Sequence, residues 1–107
     1  MYDTKHVNNK NCSIINVKEG KFPDDIIITL GLEDGEEAFV RIMSKGMYKD
    51  QLKEMAAGKR ERCVWAYGNS DIDLYKKPEG HMLLHSPHEG LYIRYYLKDG
   101  EFEKLFI

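Results

Sequence analysis

One short helix set in a run of β-strands is the feature that most constrains the fold of this chain. Between residues 45 and 57, Tyr48, Leu52 and Met55 recur at the spacing of an amphipathic helix. Gly58 stands where a glycine commonly ends a helix in the left-handed conformation. The segments on both sides alternate apolar and polar residues as strands do. The sequence therefore predicts a mostly β domain that contains a single helix.

Short alternating segments bounded by turn residues define the predicted strands. Two Asp-Gly turns, Asp34-Gly35 and Asp99-Gly100, predict hairpins because glycine accepts the positive φ that such turns require. The order is β-β-β-α-β followed by three or four strands, which fits an α+β class protein. It suits a small OB-like barrel with the helix between strands three and four, or an antiparallel sheet with one helix packed on a face. Strands are expected over residues 12–18, 25–32, 37–43, 60–67, 71–75, 81–85, 91–98 and 101–107.

The central part of the chain carries a pattern of its own: an aromatic-containing strand, a short helix closed by glycine, and a strand that finishes in glycine. The residues are Phe39-Val40-Arg41-Ile42, Leu52, Gly58, Val64 and Tyr67-Gly68. Over residues 36–68 this pattern resembles OB-fold single-stranded-DNA-binding proteins. The resemblance implies a barrel fold and a surface for single-stranded nucleic acid.

Length and composition indicate one intracellular domain. The 107 residues suit a single core, preceded by a polar N-terminal segment over residues 1–10. No apolar run approaches the roughly 20 residues of a membrane span, and the polar start lacks the apolar region of a secretory signal. We therefore expect a cytoplasmic protein without a membrane partner, in which Cys12 and Cys63 are buried free thiols.

Charge is distributed unevenly, although the net charge is only −2. Residues 19–37 carry seven acidic side chains and one lysine, whereas residues 44–63 carry six basic and three acidic ones. The small net charge argues against a general attraction to nucleic acid. The uneven distribution predicts either a molecule with an acidic and a basic side or ordinary solvated surfaces.

No arrangement typical of an enzyme is present, so we expect a non-catalytic protein with no cofactor and no metal. His81 and His85 would lie about 13 Å apart on one strand face, too far to share an ion. Together with His88 they are interpreted as exposed turn and edge histidines. Asp71 and Asp73 alternate on one strand and are interpreted as solvated carboxylates. Neither a nucleophile motif nor a phosphate-binding loop occurs.

Aromatic and basic residues alternate along the penultimate strand, opposite an apolar set that we expect in the core. The alternating residues are Tyr92, Arg94, Tyr96 and Lys98, and the apolar set is Leu91, Ile93, Tyr95 and Leu97. Such a face suits stacked bases, a protein partner or simple cross-strand packing. Trp65 and Tyr67 either extend this surface or belong to the core.

These observations predict a non-catalytic binding module. The expected partner is a protein, as for a small accessory domain of the inhibitor, immunity or phage-modulator type. Single-stranded nucleic acid is the alternative partner, bound on an OB-like barrel. The sequence leaves the oligomeric state open.

Overall fold

Seven strands and one α-helix make up the structure, a computed structural model that describes residues 8–67, 70–87 and 91–107. A short 3-10 helix follows the last strand. The elements are β1 (Asn8–Glu19), β2 (Ile26–Leu32), β3 (Glu37–Ile42), α1 (Lys45–Ala56), β4 (Arg62–Tyr67), β5 (Ser70–Lys77), β6 (Gly80–Ser86), β7 (Ile93–Lys98) and the 3-10 helix Phe102–Leu105. The predicted order β-β-β-α-β followed by further strands is confirmed.

All seven strands belong to one sheet in the order β3-β2-β1-β7-β6-β5-β4. Two meanders, β1–β3 and β4–β7, meet at its centre, where β1 and β7 run parallel and Cys12 lies opposite Leu97. The sheet is therefore mixed rather than wholly antiparallel. The edge strands β3 and β4 approach each other without forming a ladder, so the described sheet is not closed.

β1 begins earlier than predicted, because its first residues pair with β7 rather than with β2. Residues 8–12 form the parallel ladder with β7, and residues 12–19 form the antiparallel ladder with β2. The polar composition of residues 8–11 concealed this segment, since strand signals rest on apolar alternation. Backbone pairing with β7, rather than an apolar side-chain pattern, holds this segment in the sheet.

The α1 helix packs on the core face of the sheet, as its apolar stripe predicts. Tyr48, Leu52 and Met55 are all buried. Gly58 has φ +76°, and its amide donates to the Met55 carbonyl while the Lys59 amide donates to the Glu54 carbonyl. This pair of bonds is a Schellman termination, in which Gly58 follows the C-cap Ala57 and ends the helix. Among the described residues, no helix is long and apolar enough to cross a membrane.

The core lies between the sheet and α1 and includes both cysteines. Cys12 and Cys63 are buried and unpaired. Burial raises the pKa of the Cys12 thiol to about 12 and that of Cys63 to about 11. Both thiols are therefore protonated at neutral pH and behave as small apolar groups.

The prediction of a strand over residues 101–107 is wrong. After the turn at Gly100 the chain forms the 3-10 helix and returns to the core, where Phe102 and Leu105 are buried. Their three-residue spacing suits a helix with three residues per turn. The Tyr48 hydroxyl donates to the Leu105 carbonyl at 2.6 Å, which ties the C-terminal segment to α1.

Candidate functional site

The two faces of β7 differ as predicted over residues 95–98, whereas Leu91 and Ile93, expected in the core, are only half-buried. Tyr95 and Leu97 are buried, and the intervening Arg94, Tyr96 and Lys98 lie on the face of the sheet away from α1, called here the outer face. Arg94 and Tyr96 are half-buried and Lys98 is exposed. Tyr92 is 43% exposed, but it precedes β7. β7 thus carries three of the predicted binding residues on one surface.

The strand register places more aromatic and apolar groups beside this stripe. Tyr96 lies opposite Met82 on β6, and Met82 lies opposite Tyr75 on β5. Arg94 is opposite Leu84 in the adjacent row. All of these side chains are half-buried. We call the group Tyr75, Met82, Leu84, Arg94 and Tyr96 the tyrosine face.

One carboxylate borders the tyrosine face and is held by a neighbouring arginine. Asp73, expected to be solvated, is only 9% exposed, and its Oδ2 accepts from Arg62 Nη2 at 3.2 Å. The Tyr75 hydroxyl lies 3.5 Å from the same oxygen. Asp73 Oδ1 is buried without a partner among the described residues. This ion pair orients Arg62 over the Tyr75 ring, 5.3 Å from its centroid.

A groove of about 530 Å³ opens next to the tyrosine face. Lys98, Gly80 and Lys77 lie side by side on β7, β6 and β5, and the glycine leaves the space between the two lysines unfilled. Gly80 has φ +148°, and a Cβ there would collide with the Leu97 carbonyl oxygen. Glu79 also lines the groove. The side chains of Lys77 and Lys98 thus line the groove on either side of the Gly80 backbone.

Of the remaining two predicted binding residues, only Trp65 has a described side chain, and it does not extend this surface. Trp65 is 2% exposed, and its ring packs on Tyr48 with centroids 4.8 Å apart. It therefore belongs to the core, because it alternates with the outward-facing Val64 and points toward α1. The side chain of Tyr67 lies outside the described part of the structure.

The histidines are placed differently from their interpretation as exposed groups. His81 and His85 lie on the inner face of β6, half-buried, and each has a buried Nδ1 without a partner among the described residues. His81 stacks on Phe102 with ring centroids 4.2 Å apart. Burial lowers the pKa of both imidazoles below the ordinary value. His88 lies outside the described residues.

Metal-ligating side chains do not converge in the described part of the chain. No group of three histidine, cysteine, aspartate or glutamate side chains is arranged to hold a metal ion there. The Glu101 carboxylate already accepts hydrogen bonds from the Ile14 amide at 2.7 Å and from Lys104 at 2.9 Å, so its oxygens are less available to another ligand. The surface described above is suited to binding.

Sequence reasoning did not find Tyr75, Met82 and Leu84. A signal for the first two exists: a two-residue turn at Pro78-Glu79 pairs Lys77 with Gly80 and therefore Tyr75 with Met82. No such signal relates β6 to β7, because the connection between them is longer. Comparison with known proteins finds no matching family model, no matching curated protein and no matching solved structure.

Proposed function

We propose that this protein is a non-catalytic module that binds a protein partner through the tyrosine face. The observation that carries the proposal is the row Tyr96, Met82, Tyr75, which lies half-buried across three neighbouring strands. Tyrosine, methionine and arginine are enriched at the centres of protein interfaces. Side chains presented on paired strands lose little entropy when a partner covers them.

The charge around the tyrosine face indicates which side chains the partner should carry. Lys77 and Lys98 are exposed, and no carboxylate of the described residues forms an ion pair with them or with Arg94. A partner with acidic side chains around an apolar centre complements this arrangement. An accessory protein that acts by occupying another protein, of the inhibitor, immunity or phage-modulator type, fits these properties. The two buried, unpaired thiols support a cytoplasmic setting.

Single-stranded nucleic acid is the second candidate, and a specific observation favours it. Lys77 and Arg62 both lie over the Tyr75 ring, at 5.5 and 5.3 Å from its centroid, and the groove beside it is flanked by Lys98. Proteins that bind single strands combine aromatic rings, on which the bases stack, with basic side chains that attract the phosphates. The resemblance of residues 36–68 to OB-fold single-stranded-DNA-binding proteins supports the same alternative and an OB-like barrel.

A paired experiment distinguishes the two partners. The wild-type protein and a Tyr96→Ala/Arg94→Ala variant are immobilised and exposed to lysate of the native host, and the proteins retained are quantified. In parallel, both are titrated with labelled single-stranded oligonucleotides at several salt concentrations. We expect a protein retained by the wild type and lost by the double variant, with little oligonucleotide affinity.

Controls make the result specific to this face. A Lys53→Ala variant changes an exposed residue of α1 and should retain the same protein as the wild type. The melting temperature of each variant shows whether the fold is intact. Tight oligonucleotide binding that weakens steeply with salt identifies nucleic acid as the partner. Equal retention by the double variant and the wild type removes the tyrosine face from the function.

A further inference from the structure

The groove beside the tyrosine face is bounded by two neighbouring rows of residues on the outer face. Lys98, Gly80 and Lys77 form one row, and Tyr96 and Asn11 lie side by side in the next. Because neighbouring strands lie about 4.8 Å apart, the backbones of the two lysines are about 10 Å apart, with only a glycine between them. The groove therefore has a cationic end at Gly80 and an aromatic end at Tyr96.

Neither lysine of the cationic end is neutralised by a carboxylate of the described residues. Lys77 and Lys98 form no ion pair there. Lys77 Nζ lies 5.5 Å from the Tyr75 ring centroid, which keeps this ammonium group over the outer face. Lysine binds phosphate as a point charge, and two long side chains on either side of a glycine can converge on one phosphate group.

A carboxylate at the mouth of the groove limits what the cationic end can hold by itself. Glu79 is exposed and lines the same groove. Together with the two lysines it leaves one net positive charge, and exposed charges attract each other only weakly at physiological salt. A ligand with a single anionic group must therefore gain most of its affinity elsewhere in the groove.

The aromatic end supplies that second contact. Tyr96 is half-buried, and tyrosine rings bind nucleobases by stacking. The groove has a volume of about 530 Å³, within the range of about 300–1,000 Å³ that small-molecule sites occupy. It is therefore large enough for a flat ring and a phosphate group together.

Asn11 lies where the edge of a base stacked on Tyr96 would be. It is exposed, and its Nδ2 donates to Glu33 Oε1 at 2.7 Å, which orients the amide. The amide oxygen and the second N–H of Nδ2 remain for a ligand. An asparagine amide pairs with adenine in this way, because it accepts from the N6 amino group and donates to N7.

We propose that this groove is a binding site for a free adenine mononucleotide. The base stacks on Tyr96 and pairs with Asn11, and the phosphate lies between Lys77 and Lys98. The site goes beyond the binding of a protein partner, and its test requires no partner.

The test titrates the wild-type protein with four probes and follows the backbone amide signals of Gly80 and Tyr96 by nuclear magnetic resonance. The probes are adenosine 5′-monophosphate, adenosine, inosine 5′-monophosphate and inorganic phosphate. We expect adenosine 5′-monophosphate to bind most tightly, because only this probe has the phosphate, the ring and the N6 amino group. Inosine 5′-monophosphate is the matched control for Asn11, since it differs in the group at position 6 of the base.

Protein variants assign each part of the ligand to a side chain. Lys77→Gln and Lys98→Gln should each weaken adenosine 5′-monophosphate severalfold and leave adenosine unchanged. Tyr96→Ala should weaken both by about tenfold. Glu79→Gln should tighten adenosine 5′-monophosphate, because it removes the opposing charge. Lys53→Gln, an exposed lysine of α1, should change nothing, and melting temperatures show that each variant is folded.

Three results would overturn the proposal. The first is that adenosine 5′-monophosphate leaves the signals of Gly80 and Tyr96 unmoved. The second is that inorganic phosphate binds as tightly as adenosine 5′-monophosphate, which would mean attraction by charge alone. The third is that a short single-stranded oligoadenylate binds whereas the mononucleotide does not, which would assign the groove to a nucleic acid strand.

Discussion

The hydrogen bond between Tyr48 and the C-terminal segment gives a sharp test of how this fold is held together. Tyr48 is fully buried, its hydroxyl donates to the Leu105 carbonyl at 2.6 Å, and its ring packs on Trp65. Tyr48→Phe removes the hydroxyl and keeps the ring, so the apolar contacts persist. A net hydrogen bond contributes about 1 kcal/mol, and a buried carbonyl left without a donor costs about 1–3 kcal/mol. We expect the free energy of unfolding to fall by about 1–3 kcal/mol, or about 4–8 °C in melting temperature per kcal/mol.

Urea unfolding followed by far-UV circular dichroism and by the single tryptophan measures this change. Tyr96→Phe is the matched control, because Tyr96 is half-buried on the outer face and its hydroxyl makes no hydrogen bond to a described residue. The control should stay within about 0.5 kcal/mol of the wild type. If both variants unfold at the wild-type urea concentration, the Tyr48 hydroxyl does not anchor the C-terminal segment.

Three further predictions concern the core and its buried charged groups. Leu52→Ala should lower the free energy of unfolding by about 2–5 kcal/mol, since Leu52 is 1% exposed, whereas Lys53→Ala in the same urea titration should change little. Because burial holds the pKa of His81 below its ordinary 6.5, the unfolded chain takes up the proton first, so stability should decline as the pH falls below 6.5. His81→Phe should flatten part of that decline in melting temperature between pH 7 and 5, and an unchanged slope would contradict the assignment. Hydrogen bonds from Arg41 lower the pKa of Asp25, so this pair should stabilise the fold above pH 3.8 and lose its effect in stronger acid. Asp25→Asn should therefore lower the melting temperature at pH 7 and have little effect near pH 2.

Local signals in the sequence correctly predicted the helix and the first hairpin. The apolar stripe of α1 specifies which side of the helix packs, and Gly58 specifies where the helix ends. Both effects act within a few residues. Asp34-Gly35 specifies the β2–β3 hairpin in the same way, with Gly35 at φ +86°. The alternation on β7 likewise placed Tyr95 and Leu97 in the core and Lys98 outside, since the side-chain period of a strand is fixed.

What the sequence did not reveal depends on contacts between distant segments. The parallel pairing of β1 with β7 joins residues more than 80 positions apart and leaves no local pattern. The C-terminal segment alternates enough to resemble a strand, yet Phe102 and Leu105 find the core as a 3-10 helix held by α1. The same holds for the tyrosine face, because Met82 and Leu84 join the predicted stripe only through the β6–β7 register.

Calorimetry gives the sharpest test of whether the tyrosine face binds a protein partner. Calorimetric titration of the protein retained from lysate compares the wild type with Tyr96→Ala, Arg94→Ala and the outer-face control Phe39→Ser. If the tyrosine face binds the partner, each of the first two substitutions weakens binding by about 1–3 kcal/mol, as expected of interface anchors, with melting temperatures close to the wild type. Phe39→Ser should leave the affinity unchanged, since Phe39 lies on the other half of the sheet. Wild-type affinity in both Tyr96→Ala and Arg94→Ala would mean that the partner does not bind the tyrosine face.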